Sequence, residues 1–170
     1  IRYGDRAVCG PFSFTLEQGE RLALNGKNGS GKSSLLKLIL GEAIRKTGTL
    51  TLGSGLIISY VSQDTSHLSG ILSDYAVQCG IDESLFKSIL RKLDFERIQF
   101  TKDMAQFSGG QKKKVLIAKS LCEQAHLYLW DEPLNFIDIY SRMQIEQLIL
   151  DFCPTMIFVE HDRAFRETIA

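Results

Sequence analysis

A glycine-rich segment near the start of the chain carries residues that can bind phosphate. Residues 26–33 read GKNGSGKS and match the Walker A pattern, G-x-x-x-x-G-K-S/T, at every fixed position. Glycines let the backbone curl until several N–H groups point inward, which is the geometry that holds phosphate oxygens. A lysine can then reach the outer phosphates, and a serine hydroxyl can ligate magnesium. The segment therefore predicts a phosphate loop in which Lys32 and Ser33 have these two roles.

The same loop offers further contacts to a nucleotide. It precedes a predicted helix, whose N-terminus adds the positive end of its dipole. Lys27 stands at a variable position of the pattern, and we assign it no role. We predict that the phosphates are bound by residues of the loop and of the helix start, namely Asn28, Gly29, Ser30, Gly31, Lys32, Ser33 and Ser34.

Two adjacent acids follow an apolar segment in the second half of the chain. Residues 127–130 read LYLW and are followed by Asp131 and Glu132. The carboxyl end of a parallel strand is the edge at which such sheets bind ligands. Asp131 can hold magnesium through water, and Glu132 can orient and polarise a water that attacks a terminal phosphate. The alternative, two acids on a solvated turn, is disfavoured by the phosphate loop upstream.

Strands that alternate with helices must position these residues. Periodicity and glycine punctuation predict strands over residues 21–25, 47–52, 56–62, 127–130 and 155–160. They also predict helices over residues 33–40, 71–77, 83–93 behind an Asp82 N-cap, 109–123 and 139–151. Such alternation is typical of a parallel sheet covered on both faces. Residues 1–19 are predicted to form short antiparallel strands, and residues 64–107 a helical insert.

The composition favours one domain over residues 1–170. The chain is 44% hydrophobic, and its 20 Lys and Arg balance its 20 Asp and Glu, so net charge gives no reason for nucleic-acid or membrane binding. Four cysteines without a C-x-x-C pair suit a reducing compartment and are predicted to be small buried apolar residues. No apolar run approaches the roughly 18 residues of a membrane span. We therefore expect a soluble, cytoplasmic domain. Because the chain starts without methionine, we also expect it to be a piece of a longer protein.

Residues 107–111, FSGGQ, resemble the signature loop of ATP-binding cassette (ABC) proteins. The resemblance implies an α/β P-loop NTPase fold of the RecA-like type, with an N-terminal antiparallel β subdomain and a small helical subdomain. It also implies that Ser108, Gly109 and Gly110 contact ATP held by a second cassette, in the same chain or in a homodimer. A helix start of this kind can bind a γ-phosphate. An ordinary helix N-cap is the alternative interpretation.

Further residues match the family in the expected order. Gln63 looks like the Q-loop glutamine, which contacts magnesium or water, and residues 133–138 resemble the D-loop, which links two sites across a dimer. His161 looks like the switch histidine that contacts the γ-phosphate, and Tyr3 stands where the family stacks an aromatic ring on adenine. His67 and His126 match nothing and are predicted to be structural or solvated.

Two strings resemble the ABC-F class, namely P-x-N-x-x-D at residues 133–138 and H-D-R-x-F at residues 161–165. Members of this class lack membrane spans and act on ribosomes, and some protect ribosomes from antibiotics. The chain departs from the common pattern at four positions. Threonine is usual at Leu134, leucine at Ile137 and at Phe107, and a small hydroxyl at Glu160.

The lysine run 112–114 follows the signature loop on a predicted helix. We interpret it as a solvated helix face rather than as an RNA contact.

These residues together predict an ATPase that works as paired cassettes and acts on the ribosome. We assign catalysis to Glu132, His161, Lys32 and Gln63, magnesium binding to Ser33, Gln63 and Asp131, and ATP binding to the loops above. The alternative function is the ATPase subunit of an ABC membrane transporter, whose partner would be a membrane subunit. A nucleotide-binding scaffold without hydrolysis is a third possibility, disfavoured because Lys32, Asp131, Glu132 and His161 are all present.

Overall fold

A computed structural model describes residues 1–3 and 6–170, with the side chains of residues 2, 3, 6 and 7 left out. The strands in chain order are β1 (Arg2–Tyr3), β2 (Arg6–Ala7), β3 (Arg21–Leu24), β4 (Ile58–Val61), β5 (Leu127–Asp131) and β6 (Met156–Val159). The helices are α1 (Lys32–Ile39), α2 (Leu72–Cys79), α3 (Glu83–Lys92), α4 (Gly109–Cys122), α5 (Ile139–Phe152) and α6 (Arg163–Ile169). Two short 3-10 helices, Arg97–Thr101 and Met104–Gln106, lie between α3 and α4.

Four parallel strands form the central sheet in the order β3-β6-β5-β4. Every residue of β5 and β6 is buried, as expected for central strands with both faces covered. Their side chains alternate between two hydrophobic clusters. Leu127 and Leu129 pack with α1 on one face, whereas Tyr128 and Trp130 pack with α4 and α5 on the other. The predicted α/β fold with a parallel core sheet and flanking helices is confirmed.

The helices between β4 and β5 begin and end close to the predicted residues. Asp82 caps α3, since its carboxylate accepts a hydrogen bond from the Leu85 N–H, and Gly80 ends α2 in the left-handed conformation at φ +66°. Phe86 and Leu90 of α3 share one hydrophobic cluster with Val115 of α4. The division into one domain with a helical insert over residues 64–107 stays a prediction.

The predicted strand over residues 47–52 is wrong, because these residues form no strand in the structure. β-branched composition favours a strand only where a neighbouring strand can pair with it, and residues 47–52 have no such neighbour in the part of the chain that is described. The prediction for residues 1–19 holds only in part. β1 and β2 pair antiparallel, and residues 8–19 form no strand.

Two further sequence predictions concern cysteines and membrane spans. Cys122 is buried as predicted, Cys9 and Cys79 are half-buried, and Cys153 is exposed at the end of α5, so the prediction of uniform burial is wrong. Among the residues described, no helix is both long enough and apolar enough to cross a bilayer.

Candidate functional site

The register of the sheet brings the predicted site residues to one edge. Leu24 of β3 and Asp131 of β5 both pair with Val159 of β6, and Val61 of β4 pairs with Trp130. The strands are parallel, so their carboxyl ends align. The phosphate loop, Gln63, Glu132 and His161 come after these ends within a few residues, and therefore lie at the edge where open α/β sheets bind ligands.

The phosphate loop requires glycine at two positions. Gly26 has φ +154°, and a Cβ there would lie 2.6 Å from the Ser30 Oγ. Gly31 has φ +91°, and its Cβ would lie 3.3 Å from side-chain carbons of Val8 and Cys9. A larger residue would strain the backbone and displace its neighbours. The curled cradle that a phosphate would enter therefore depends on these glycines.

Lys32 opens α1 directly behind the loop. Its Nζ donates to the Gly26 carbonyl at 2.8 Å and to the Lys27 carbonyl at 3.1 Å, so the ammonium lies across the loop. The N-cap Gly31 offers no side-chain cap, and the first turn of α1 contains no acidic residue. The N–H groups of this turn and the ammonium thus form a positive surface, which fits a triphosphate.

Ser33, Gln63 and Asp131 lie together, although 68 residues separate Gln63 from Asp131. The Gln63 Nε2 donates to the Asp131 Oδ1 at 3.0 Å and to the Ser33 Oγ at 3.4 Å. Asp131 is only 2% exposed. The Ser33 hydroxyl and the Asp131 carboxylate are oxygen donors of the kind that Mg²⁺ prefers, and the Gln63 amide turns its nitrogen toward both. No cluster of three His, Cys, Asp or Glu occurs in the described residues, so a magnesium ion here would take its remaining ligands from phosphate and water.

Glu132 is held from two sides. Its Oε2 accepts from the Asn135 Nδ2 at 2.7 Å, and its Oε1 lies 3.4 Å from the His161 Nε2. Glu132 has φ +48°, a conformation that costs a non-glycine residue about 1–3 kcal/mol and is found at functional sites. The Asn135 contact was not predicted from the sequence, although Asn135 belongs to the D-loop string.

Glu160 is a buried carboxylate that accepts hydrogen bonds from two loops. Its Oε1 accepts from the backbone N–H of His161 at 2.8 Å and of Asp162 at 3.4 Å, and its Oε2 accepts from the Leu134 N–H at 3.1 Å. The side chain is 6% exposed. In the sequence, Glu160 stands out only as a departure from the family pattern, and no role was predicted for it.

The signature residues open α4. The Ser108 Oγ accepts from the Gln111 N–H at 3.2 Å, and the Gln111 Oε1 accepts from the Ser108 N–H at 3.0 Å, which is a capping box. The Phe136 ring packs on Gly109, and a Cβ at Gly110 would lie 2.3 Å from the Phe136 carbonyl oxygen. The ordinary role of a helix N-cap is therefore present, and both glycines permit close contact with the D-loop.

The interpretation of residues 112–114 as a solvated face is wrong. Lys113 and Lys114 are 2% and 8% exposed. The Lys113 Nζ donates to the Ser62 carbonyl at 2.8 Å and to the Gln63 carbonyl at 3.4 Å, and the Lys114 Nζ pairs with the Asp138 Oδ2 at 2.9 Å. The composition of the run indicated exposure, but packing of α4 against β4 and the D-loop buries two of its three side chains.

Burial and the nearby carboxylates have opposite effects on the pKa of Lys113. Burial lowers the pKa of Lys113, and the carboxylates of Asp131, Glu132 and Glu160 partly oppose this change. Burial also raises the pKa of Tyr60 to about 12, with smaller contributions from Asp131 and Glu42. The site is therefore a partly desolvated region that is rich in acidic groups.

The remaining candidates lie away from this edge or outside the described side chains. Tyr3 belongs to β1, and its side chain lies outside the described part of the chain. His67 is exposed, and the His126 Nδ1 accepts from the Ile57 N–H at 3.0 Å, a structural contact. A cavity of about 1590 Å³ is lined by residues 9–19 and 46–56 among others, and none of the predicted site residues lines it.

Comparison with known proteins identifies the family. The model of the family described as "ABC transporter" matches residues 9–135, more than half of the chain. The ATP-binding protein Uup of Caulobacter vibrioides is 34% identical over 99% of this chain and 29% of its own length. The ribosome protection protein VmlR of Bacillus subtilis is 29% identical over 97% of this chain and 30% of its own length.

A solved structure has the same fold. The complex of the archaeal ribosomal stalk protein aP1 with the archaeal ribosome recycling factor aABCE1 matches with a TM-score of 0.76 at 23% identity, over 91% of this chain and 31% of that chain. The chain thus spans about three tenths of the length of these relatives. From the matching family model and the similarity to Uup, the chain belongs to the ATP-binding cassette family, within which it resembles the ABC-F class.

Proposed function

We propose that this chain is an ATP-binding and ATP-hydrolysing cassette of ABC-F type, which pairs with a second cassette and acts on the ribosome in the cytoplasm. The observation that carries the proposal is the convergence of Ser33, Gln63 and Asp131 with the Glu132 and His161 pair at one edge of the sheet. Family membership supports binding and hydrolysis of ATP.

Binding of ATP begins at the phosphate loop. Glycines 26, 29 and 31 provide the curled backbone, and the Lys32 ammonium, which donates to the Gly26 carbonyl in the structure, would contact the outer phosphates. Residues 28–34 surround the phosphates in this proposal. Ser33, Asp131 and Gln63 would hold magnesium, which neutralises phosphate charge and orients the γ-phosphate.

Hydrolysis depends on Glu132 in this proposal. Glu132 follows Asp131, a proposed magnesium ligand, in the sequence. Asn135 contacts one oxygen of the Glu132 carboxylate, and His161 lies near the other. A carboxylate held in this way can orient the attacking water and accept its proton, which typically contributes about 10²- to 10⁴-fold to the rate. His161 is half-exposed and can turn toward a bound γ-phosphate.

Pairing would complete the site. Ser108, Gly109 and Gly110 lie at the start of α4, and no described hydrogen bond joins them to the chain's own phosphate loop. These residues would contact ATP held by the partner cassette, either in the same chain or in a second copy. ATP can close such a pair only by binding the closed state more tightly, and loss of the γ-phosphate opens it.

The ribosome is the proposed target because of the named relatives. VmlR is a ribosome protection protein, and aABCE1 is a ribosome recycling factor. Protection from an antibiotic is one form that the function of this chain can take. The family description "ABC transporter" supports the alternative, an ATPase subunit bound to a membrane partner.

The test uses the whole protein that contains this cassette. Glu132→Gln is expected to bind ATP with unchanged affinity, to release phosphate at least about 100-fold more slowly, and to remain on ribosomes in ATP. Lys32→Ala is expected to lose ATP affinity. Glu83→Gln, on the surface of α3, is the control and should leave ATP affinity, phosphate release and ribosome association unchanged.

Two results would contradict the proposal. Phosphate release by Glu132→Gln at the wild-type rate would exclude the catalytic role of this carboxylate. Sedimentation of the trapped protein with membranes, and absence from ribosome fractions, would favour the transporter alternative.

A further inference from the structure

A fully buried lysine on α4 holds the main chain of the Gln63 loop. Lysine is almost never fully buried without a partner. Lys113 is 2% exposed, and the described ion pairs include none with Lys113. Its ammonium instead donates to two successive carbonyls, those of Ser62 at 2.8 Å and Gln63 at 3.4 Å. The buried Lys113 ammonium therefore holds two residues of the loop through hydrogen bonds to their carbonyl oxygens.

These two carbonyls lie just beyond the end of a strand. The last pair of β4 with β5 is Val61 with Trp130, so the sheet does not fix Ser62 and Gln63. Gln63 is also the residue whose side chain contacts Asp131 and Ser33. The main chain of Gln63 is thus held by the Lys113 ammonium, and its side chain is held by Asp131 and Ser33.

The helix that carries Lys113 begins with the signature residues. Ser108 caps α4, and Gly109 and Gly110 are its first two residues, so Lys113 lies about one turn further along. A displacement of the first turns of α4 would therefore move the ammonium relative to the two carbonyls. Lys114, the next residue, holds the D-loop through Asp138, so adjacent lysines on one helix contact both loops.

We propose that Lys113 is a positioning residue that couples the signature end of α4 to Gln63, and through Gln63 to the magnesium side of the site. This inference rests on the proposed function. Lysine suits the task because its compact ammonium presents three donors, and the loop offers the carbonyls of Ser62 and Gln63 as acceptors. Methionine has a similar length and no donor, and glutamine keeps a neutral donor.

The test measures magnesium dependence separately from nucleotide binding. In the whole protein, Lys113→Met is expected to bind ATP in excess EDTA as the wild type does, because the phosphate loop is intact. The magnesium concentration that half-saturates the ATP complex is expected to rise by about 10- to 100-fold, the usual effect of losing a residue that orients a metal ligand. Lys113→Gln should show a smaller rise. Lys119→Met, on the same helix with a half-buried ion pair to Glu123, is the matched control and should show no rise in this magnesium concentration.

A second arm tests the route through Gln63. Gln63→Ala is expected to raise the magnesium requirement, and Lys113→Met in that background should add no further rise, since both changes act on one contact. Additive effects, or an equal loss of ATP affinity with and without magnesium, would show a merely structural role and overturn the inference. If Lys113→Met does not fold, Lys113→Gln is measured in the same way.

Failure of the inference is distinct from failure of the proposed function. A wild-type protein that does not bind or hydrolyse ATP refutes the function. A wild-type protein that does both, together with Lys113 variants of unchanged magnesium dependence, refutes the inference alone.

Discussion

The Glu160 Oε2 accepts a hydrogen bond from the Leu134 N–H at 3.1 Å, and this contact joins two loops that are 26 residues apart. The other oxygen of the same carboxylate accepts from the N–H of His161 at 2.8 Å. One buried acid therefore fixes the position of the D-loop relative to His161, the proposed switch histidine. A small hydroxyl, which is usual at this position in the family, is too short to reach both loops in this way.

Glu160→Ser is expected to destabilise the protein by about 1–3 kcal/mol, because the partly buried N–H groups of Leu134, His161 and Asp162 lose their acceptor. Phosphate release should fall more than ATP affinity does, since the phosphate loop is untouched. Urea unfolding and a phosphate-release assay measure the two effects. Glu167→Gln, at an exposed ion pair on α6, is the control. Unchanged stability in Glu160→Ser would show that the carboxylate does not join the loops.

Asn135→Ala removes the 2.7 Å contact to the Glu132 Oε2. We expect phosphate release to slow by about tenfold, which corresponds to about 1.4 kcal/mol of lost transition-state stabilisation. ATP affinity should not change, because the described hydrogen bonds of Asn135 go to Glu132 and none goes to the phosphate loop. Single-turnover hydrolysis together with equilibrium binding distinguishes the two effects. An equal loss of hydrolysis rate and of ATP affinity would contradict an orienting role for Asn135.

Gly26→Ala tests the cradle itself. The added Cβ would lie 2.6 Å from the Ser30 Oγ at a φ of +154°, so the Ser30 side chain or the loop backbone must shift. We expect ATP affinity to fall by at least about tenfold, and stability to fall by about 1 kcal/mol or more. Fluorescent-nucleotide titration and thermal unfolding are the measurements. Gly10→Ala, where a Cβ would meet nothing within 4 Å, is the matched control. Wild-type affinity in Gly26→Ala would argue against phosphate binding by this loop.

Asp138 predicts a pH-dependent contribution to stability. Burial would raise the pKa of Asp138, but hydrogen bonds from the Ser141 N–H, the Lys114 ammonium and the Ser141 hydroxyl lower it well below its usual value of 3.8. A lowered pKa in the folded state means that the ionised carboxylate stabilises the protein fully above pH 3.8. That contribution is lost as the pH falls below this value.

Asp138→Asn isolates this contribution, because asparagine caps a helix about as well as aspartate. We expect the variant to be less stable than the wild type by up to about 1 kcal/mol near neutral pH, given that the Asp138 side chain is half-exposed. The difference should narrow as the pH falls below 3.8. Urea unfolding of both proteins over that range is the measurement. A difference that grows in acid would contradict the lowered pKa.

Several features could be predicted from local sequence. The phosphate loop, the strand before Asp131 and the capped helices α3 and α4 depend on residues that are close in sequence, such as Asp82 with Leu85 or Ser108 with Gln111. The prediction of a strand over residues 47–52 failed, because a strand needs a neighbour that its own residues do not specify.

The sequence by itself determined which residues can do chemistry here. The glycines of the phosphate loop, Lys32, Asp131, Glu132 and His161 can all be recognised from residue type and spacing. Only the tertiary structure decided which side chains hold them in place. Lys113, Glu160 and Asn135 are polar residues whose importance comes from burial or from partners in distant segments, and burial is set by the packing of α4, β4 and the D-loop rather than by any local pattern.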